Sequence, residues 1–404
     1  MFIGSYRSLE QKMHIALIEI SEPNHYMVMD GLIRTYCEDK RNRVSVILNQ
    51  HTLTHIKRSN YSSQVILKVL EANEDLKPTI LKIRPDRIHI CSGSRYQKQL
   101  LQAIKHYNHE IFFHFHNIET WFSNPVKYQI ELIKKKVANK AGALELFQMI
   151  KYSIKKIAYS FWAKKLIKEI VKKNSYYVTL SQIQESILER YLTNPRFIRF
   201  PSLITERDLP KEQRNSDQIN ICIPGTVQGE RRDYQGFLKS VLYHQEIFRS
   251  IGYIELLGRF DGQNKTISDL ILEVKSAGIK LLYHDYFLDP TLYSERISQC
   301  DVLLGNILIR PTDEGQLKET GTVYNMVSYA KPGLFPKGFI LDDLFDGSYI
   351  QYQDYEHLAS IINDMQNKPE IIEGLKKSAA NLSEKFTPSA LLKRLKVGNY
   401  PIRA

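Results

Sequence analysis

Short apolar runs alternate with helically spaced segments along most of the chain. HIALIEI (14–20) is followed by a helical pattern over 27–37, RVSVILN (43–49) by one over 64–73, and RIHICSG (87–93) by one over 96–107; EIFFHFHN (110–117) and SYYVTLS (175–181) come next. Strand, helix, strand repeated in this way predicts a parallel sheet covered by helices on both faces. A second series runs INICIPG (219–225), YIELLG (253–258), IKLLYHDYF (279–287), DVLLGNI (301–307) and PGLFP (332–336), with helical segments between. PSLITERDLPKEQRNSDQ (201–218) carries two prolines, many charges and no periodicity, as a linker does. The expectation is an α/β protein of two doubly wound, Rossmann-like domains facing a central cleft, over residues 1–208 and 209–404. Residues 1–12, ahead of Met13, read as an extension without assigned function.

Composition narrows the class. With 404 residues, 43% hydrophobic and 25% charged, the chain has enough apolar material for two cores. No run of eighteen uncharged apolar residues occurs, and the apolar run before Glu19 is too short for a secretory signal, so a cytoplasmic protein is expected. Cys37, Cys91, Cys222 and Cys300 lie far apart and read as small core residues, neither a disulfide framework nor a zinc site.

Charge is concentrated. Between Lys127 and Lys173 stand thirteen lysines against Glu131, Glu145 and Glu169, a net +10 of the formal +12. Within this stretch Ile150, Ile154, Ile157, Ala158, Phe161, Trp162, Ile167, Ile170 and Val171 recur at helical spacing, with lysines in most of the gaps. One reading is a solvated helix on an ordinary core face. The other is a basic amphipathic helix resting on anionic lipid, which places the protein at the inner face of the plasma membrane as a peripheral protein. Nucleic acid ranks below both, because the segment holds no arginine and the chain shows no base-reading motif.

Four segments resemble the retaining GT-B glycosyltransferases, in particular glycosyltransferase family 4. EIFFHFHNIETWF (110–122) is similar to the strand and loop where such enzymes carry a histidine followed by Asn or Asp. TLSQIQESILERYL with FIRFP (197–201) is similar to their last N-domain strand, helix and return to the linker. ICIPGTVQGERRDYQGFLKSV (221–241) is similar to their first C-domain strand, phosphate loop and helix, and KETGTVYNMVSYAKPGLFP (318–336) to their donor loop and helix. The order of these segments follows the family across most of the chain.

The resemblance implies transfer of a sugar from a nucleotide diphosphate donor to a lipid-linked or glycan acceptor, with retention at the anomeric carbon. It implies catalytic roles for His116 and Glu319, with Gly225, Thr226, Tyr286, Gly321, Thr322 and Asn325 at the donor; Arg231 and Arg232, which open the next helix, are on their own chemistry the further catalytic candidates at the leaving phosphate. Asn24 and His25, in the loop after the first strand, are the acceptor-side candidates. The chemistry of these residue types fits: a strand entering a glycine turn and a helix N-terminus offers free N–H groups and a favourable dipole to phosphates, and an arginine can take up charge on a leaving diphosphate. Two departures from the family stand out. Thr226 follows Gly225 where the family has arginine, and Asn325 stands where it has its second loop glutamate. His114, beside Phe113 and Phe115, reads as a core histidine. No Asp-x-Asp pair is present, so neither metal nor other cofactor is expected, with cationic side chains and helix dipoles in a cation's place. A catalytically weak or inactive partner subunit of the same fold is the alternative that the two departures favour. An epimerase or phosphorylase of that fold stands behind it.

Overall fold

The computed structural model describes residues 12–21, 26–53, 63–71, 74–93, 96–115, 118–122, 143–173, 175–179, 182–199, 204, 218–227, 229, 231–309 and 320–397. The chain divides near residue 202 into two compact units, with residues 392–397 grouped with the first.

The first unit holds seven strands: β1 (His14–Glu19), β2 (Arg43–Asn49), β3 (Val65–Leu70), β4 (Arg87–Ile90), β5 (Glu110–His114), β6 (Ser175–Thr179) and β7 (Phe197–Arg199). They lie in the order β3-β2-β1-β4-β5-β6-β7, and every neighbouring pair is parallel. The inner strands are buried on both faces, which is why they read as continuous apolar runs without alternation. On one side, Leu100, Ala103 and Ile104 of the helix Gln97–Ile104 meet Ala163, Leu166, Ile167 and Ile170 of the long helix Ala143–Val171 in one core cluster with Phe113, Phe115 and Trp121.

The second unit holds β8 (Asn220–Pro224), β9 (Tyr253–Arg259), β10 (Leu281–His284), β11 (Val302–Leu304), β12 (Gly333–Pro336) and β13 (Tyr349–Tyr352), in the order β10-β9-β8-β11-β12-β13 and again parallel throughout. Both sheets share one winding rule. The chain runs outward from the first strand of the sheet over two neighbours, then returns to pair its fourth strand on that strand's other side. The order therefore reverses between β1 and β4 and between β8 and β11. In open α/β sheets the crevice at such a reversal, beyond the carboxyl ends of the strands, is where ligands bind.

Three elements differ from the expectation. Residues 64–73 were predicted helical, but Val65–Leu70 is a strand pairing with β2 from Val44↔Val65 to Asn49↔Leu70. Its β-branched residues, Val65, Ile66 and Val69, suit a pleated edge, and Ile66 is left exposed there. FIRFP was read as a return to the linker, yet Phe197–Arg199 closes the first sheet as β7. The edge strand Tyr349–Tyr352 was not predicted at all.

Candidate functional site

The second unit's reversal point is built from the loop after β8 and the segment after β11. Gly225 ends β8 with φ of 103°, a left-handed backbone that a side chain rarely adopts. The turn is held from behind by β9: Gly225 N–H donates to Leu257 O at 3.2 Å and Val227 N–H to Arg259 O at 3.1 Å. Gly258, between those two acceptors, lies so close that a Cβ there would stand 2.2 Å from Gly225 O. After the loop, residues 231–233 pair with 306–308: Arg232 and Ile307 form an antiparallel bridge, Leu308 N–H donates to Arg231 O at 3.1 Å, and Asp233 N–H donates to Asn306 O at 3.3 Å. Asp233 then caps the helix Tyr234–Tyr243, its carboxylate accepting from Gly236 N–H at 2.9 Å.

This pairing separates the two adjacent arginines. Arg231 is exposed, whereas Arg232 is buried with its guanidinium against Gly225, Nη2 lying 2.9 Å from where a Cβ on that glycine would stand. Among the described residues Arg232 Nη1 is buried and has no hydrogen-bond partner, and the same holds for Asn306 Nδ2 on the neighbouring segment. The other end of the Asn306 amide is fixed, since its Oδ1 accepts from the Tyr355 hydroxyl at 2.7 Å, and that hydroxyl also reaches Asp233 O at 3.0 Å. Burial pushes the Tyr234 phenol up to about 12 against the pull of the Arg232 charge, so it remains a donor, to Gly225 O at 3.5 Å. The buried cationic donor of Arg232 beside the Gly225 turn suits an anionic or acceptor-rich ligand.

The helix Gly321–Ser328 begins after the β11 segment. Thr320 is its N-cap, its hydroxyl accepting from Thr322 N–H at 3.4 Å. Gly321 is exposed, with open space where a Cβ would be. Thr322 is fully buried, so it contributes through its backbone and the cap. Asn325 lies one turn in and is also buried; its amide N–H donates to the Tyr293 hydroxyl at 2.7 Å.

Tyr286 lies elsewhere in the second unit. It is exposed, just beyond β10 at the sheet's edge, with its ring 5.8 Å from that of His284. There His284 Nε2 meets the buried Glu255 carboxylate at 2.8 Å, beside a cavity of about 390 Å³ lined also by Lys275, Tyr283, Asp285 and Arg296. The structure thus brings Gly225, Thr226, Arg232 and the unpredicted Asn306 to the crevice between β8 and β11, and sets Tyr286 at the edge strand. His116, Glu319, Asn24 and His25 lie outside the described residues. Asn306 could have been found from its sequence position directly after the run DVLLG, at the carboxyl end of the strand that reverses the sheet order.

In the first unit, His114 is a core residue. Arg87 Nη1 donates to the Tyr36 hydroxyl at 3.1 Å, Tyr36 lies 2.6 Å from His89 Nε2, and His89 Nδ1 lies 3.1 Å from His114 Nε2. Arg87, Tyr36, His89 and His114 thus form one buried hydrogen-bonded chain, in which the His89 tautomer sets which neighbour donates. Cys91, Cys222 and Cys300 are buried and Cys37 is half-buried, and none of the four forms a disulfide. Among the described residues no group of three His, Cys, Asp or Glu side chains is placed to hold a metal ion, and no helix is long and apolar enough to cross a membrane.

Neither a protein-family model nor a curated protein matches the sequence. Solved structures do match. The Anabaena protein HepE (Alr3699), solved in complex with UDP, aligns over 95% of this chain and 98% of its own with a TM-score of 0.58 at 13% identity. A glycosyltransferase from Rickettsia africae aligns over 96% and 98%, with a TM-score of 0.59 at 11% identity. A UDP-N-acetylglucosamine 2-epimerase aligns over 96% and 95%, with a TM-score of 0.56 at 10% identity. The fold is GT-B. At these identities the likeness establishes architecture, while chemistry has to come from the site.

Proposed function

We propose that the chain is a glycosyltransferase that takes its sugar from a nucleotide diphosphate donor and holds the diphosphate in the second unit, between β8 and β11. The observation that carries this reading is the buried Arg232 Nη1, which has no hydrogen-bond partner among the described residues and lies on the guanidinium that packs against the positive-φ turn at Gly225. A diphosphate oxygen at Arg232 Nη1 would satisfy that donor and remove the cost of burying it alone. As the bond between the anomeric carbon and the phosphate oxygen breaks, negative charge grows on the leaving diphosphate, and a fixed guanidinium stabilises that charge without reorganising. The helix beginning at Gly321 adds its N-terminal dipole. These groups serve in place of a metal ion, and transfer is metal-independent in this reading. HepE, solved with UDP, and the Rickettsia glycosyltransferase share the architecture and support the donor class.

Retention, a lipid-linked or glycan acceptor, and work at the cytoplasmic face of the membrane complete the proposal, with His116 and Glu319 as further catalytic groups and Asn24 and His25 on the acceptor side. An epimerase is the second reading, favoured by the epimerase of the same fold. Incubation with UDP-sugars, with and without lipid-linked or glycan acceptors, separates the two: a transferase forms product only with acceptor and shows the donor's anomeric configuration by NMR. An epimerised nucleotide sugar formed without acceptor contradicts transfer, and an inverted product contradicts retention.

A further inference from the structure

The long helix Ala143–Val171 carries two apolar faces, and only one of them serves the core. Ala163, Leu166, Ile167 and Ile170 are buried in the first unit's core cluster, where the helix Gln97–Ile104 also packs. Phe147, Ile150, Ile154, Ile157 and Phe161 are instead exposed, Phe147 by 66% and Ile154 by 63%. Their spacing of three, four, three and four residues is that of one helix stripe. At about 100° per residue they fall in a sector about 80° wide, centred roughly opposite the buried group. In the last turns the same side carries Lys164, Lys165, Lys168 and Lys172, all exposed. Lys165 lies over the Phe161 ring at 4.2 Å, joining the apolar and basic parts of the stripe.

A solvated helix does not present five large apolar side chains in line, and a core helix does not turn them away from its core. Lysine alone calls for an anionic partner; an apolar stripe continued by lysine calls for one that is anionic at its surface and apolar beneath. We infer that this outer stripe inserts into the headgroup and acyl boundary of an anionic bilayer, with Phe147 to Phe161 in the apolar layer and Lys164 to Lys172 among the headgroups. The first unit is then held to the membrane by the helix that also completes its core. The inference deepens the membrane reading given above and predicts what charge alone does not: binding that survives salt.

The test is co-sedimentation of the full chain with vesicles of phosphatidylglycerol and phosphatidylcholine in equal parts, at low salt and at about 1 M salt, where the Debye length is about 3 Å. The protein should pellet at low salt and largely remain bound at high salt. A variant with Phe147→Ser, Ile150→Ser, Ile154→Ser and Phe161→Ser should bind at least tenfold more weakly and be released by salt. All four sites are exposed, and an unchanged circular dichroism spectrum would confirm that the variant folds. As an independent readout, the Phe147→Trp emission should shift to the blue on vesicle binding and be quenched by brominated lipid. Wild-type protein released completely by salt, or a Phe147→Trp reporter that stays in water, overturns insertion while leaving an electrostatic contact. No vesicle binding, with a concentration-dependent dimer abolished in the serine variant, overturns it in favour of a second copy. UDP binding measured without vesicles reports on the transferase reading separately.

Discussion

Arg231 and Arg232 are adjacent and chemically identical, and the sequence offered both as phosphate ligands. Their separation comes from the antiparallel bridge to Ile307, which turns successive side chains to opposite sides and buries only Arg232. No local pattern in GERRDYQG encodes that bridge, because its partner lies more than seventy residues away. An unpaired buried donor costs about 1–3 kcal/mol, so Arg232 should weaken the unliganded protein. Arg232→Met is expected to keep or raise the melting temperature of the free protein while losing the rise that UDP gives the wild type; a lower melting temperature would make Arg232 a structural residue. His89 gives a pH prediction. Burial, then the charges of His114 and Arg87, hold its pKa well below the usual 6.5. The folded state keeps it neutral whereas the unfolded chain protonates near pH 6.5, so its contribution is present above that pH and is lost as pH falls below it. Denaturant unfolding of the first unit should therefore steepen in pH dependence below about 6.5, and His89→Gln should flatten the curve. Equal slopes for the two proteins would contradict the assignment.

At the scale of elements, the inner strands were legible because burial on both faces leaves continuous apolar runs. The edges were not. β3, β7 and β13 are half-covered, and their registers depend on neighbours rather than on their own pattern. β7 shows what holds an edge of three residues in place. Arg199 donates from Nε and Nη2 to the two oxygens of Glu185 at 2.7 and 2.6 Å, and Thr179 on β6 adds a bond to the same carboxylate at 3.0 Å. Both partners are buried, so removing one strands the other's charge. Glu185→Ala should destabilise the first unit by about 3–5 kcal/mol; a loss below about 1 kcal/mol, the range of exposed pairs, would show that water enters the site. The loop after β8 depends in the same way on Gly258. A Cβ there meets the Gly225 carbonyl, so Gly258→Ala should distort the turn and cut UDP affinity at least tenfold without reaching the ligand itself. Unchanged calorimetric affinity would show that the turn has room to shift.

For the whole molecule, alternation of strands and helices disclosed two parallel sheets, and the chain's winding then set the reversal points. The resemblance directed attention to Gly225 and the following arginines; the structure added Asn306 and placed the Asn325 amide against Tyr293. The proposed acceptor-side and catalytic residues of the first unit, Asn24, His25 and His116, lie outside the described segments. The proposed diphosphate fills the place between β8 and β11 beside Arg232, whose buried Nη1 has no partner among the described residues. Titration calorimetry of the full chain with UDP, uridine and the Arg232→Met variant tests this most directly. A charged hydrogen bond contributes about 1.5–3 kcal/mol, or roughly a tenfold to hundredfold change in affinity. UDP should bind the wild type, uridine should bind far more weakly, and Arg232→Met should lose at least tenfold for UDP alone. Equal UDP affinity in wild type and variant, or no binding of UDP, GDP or ADP by the wild type, would contradict it.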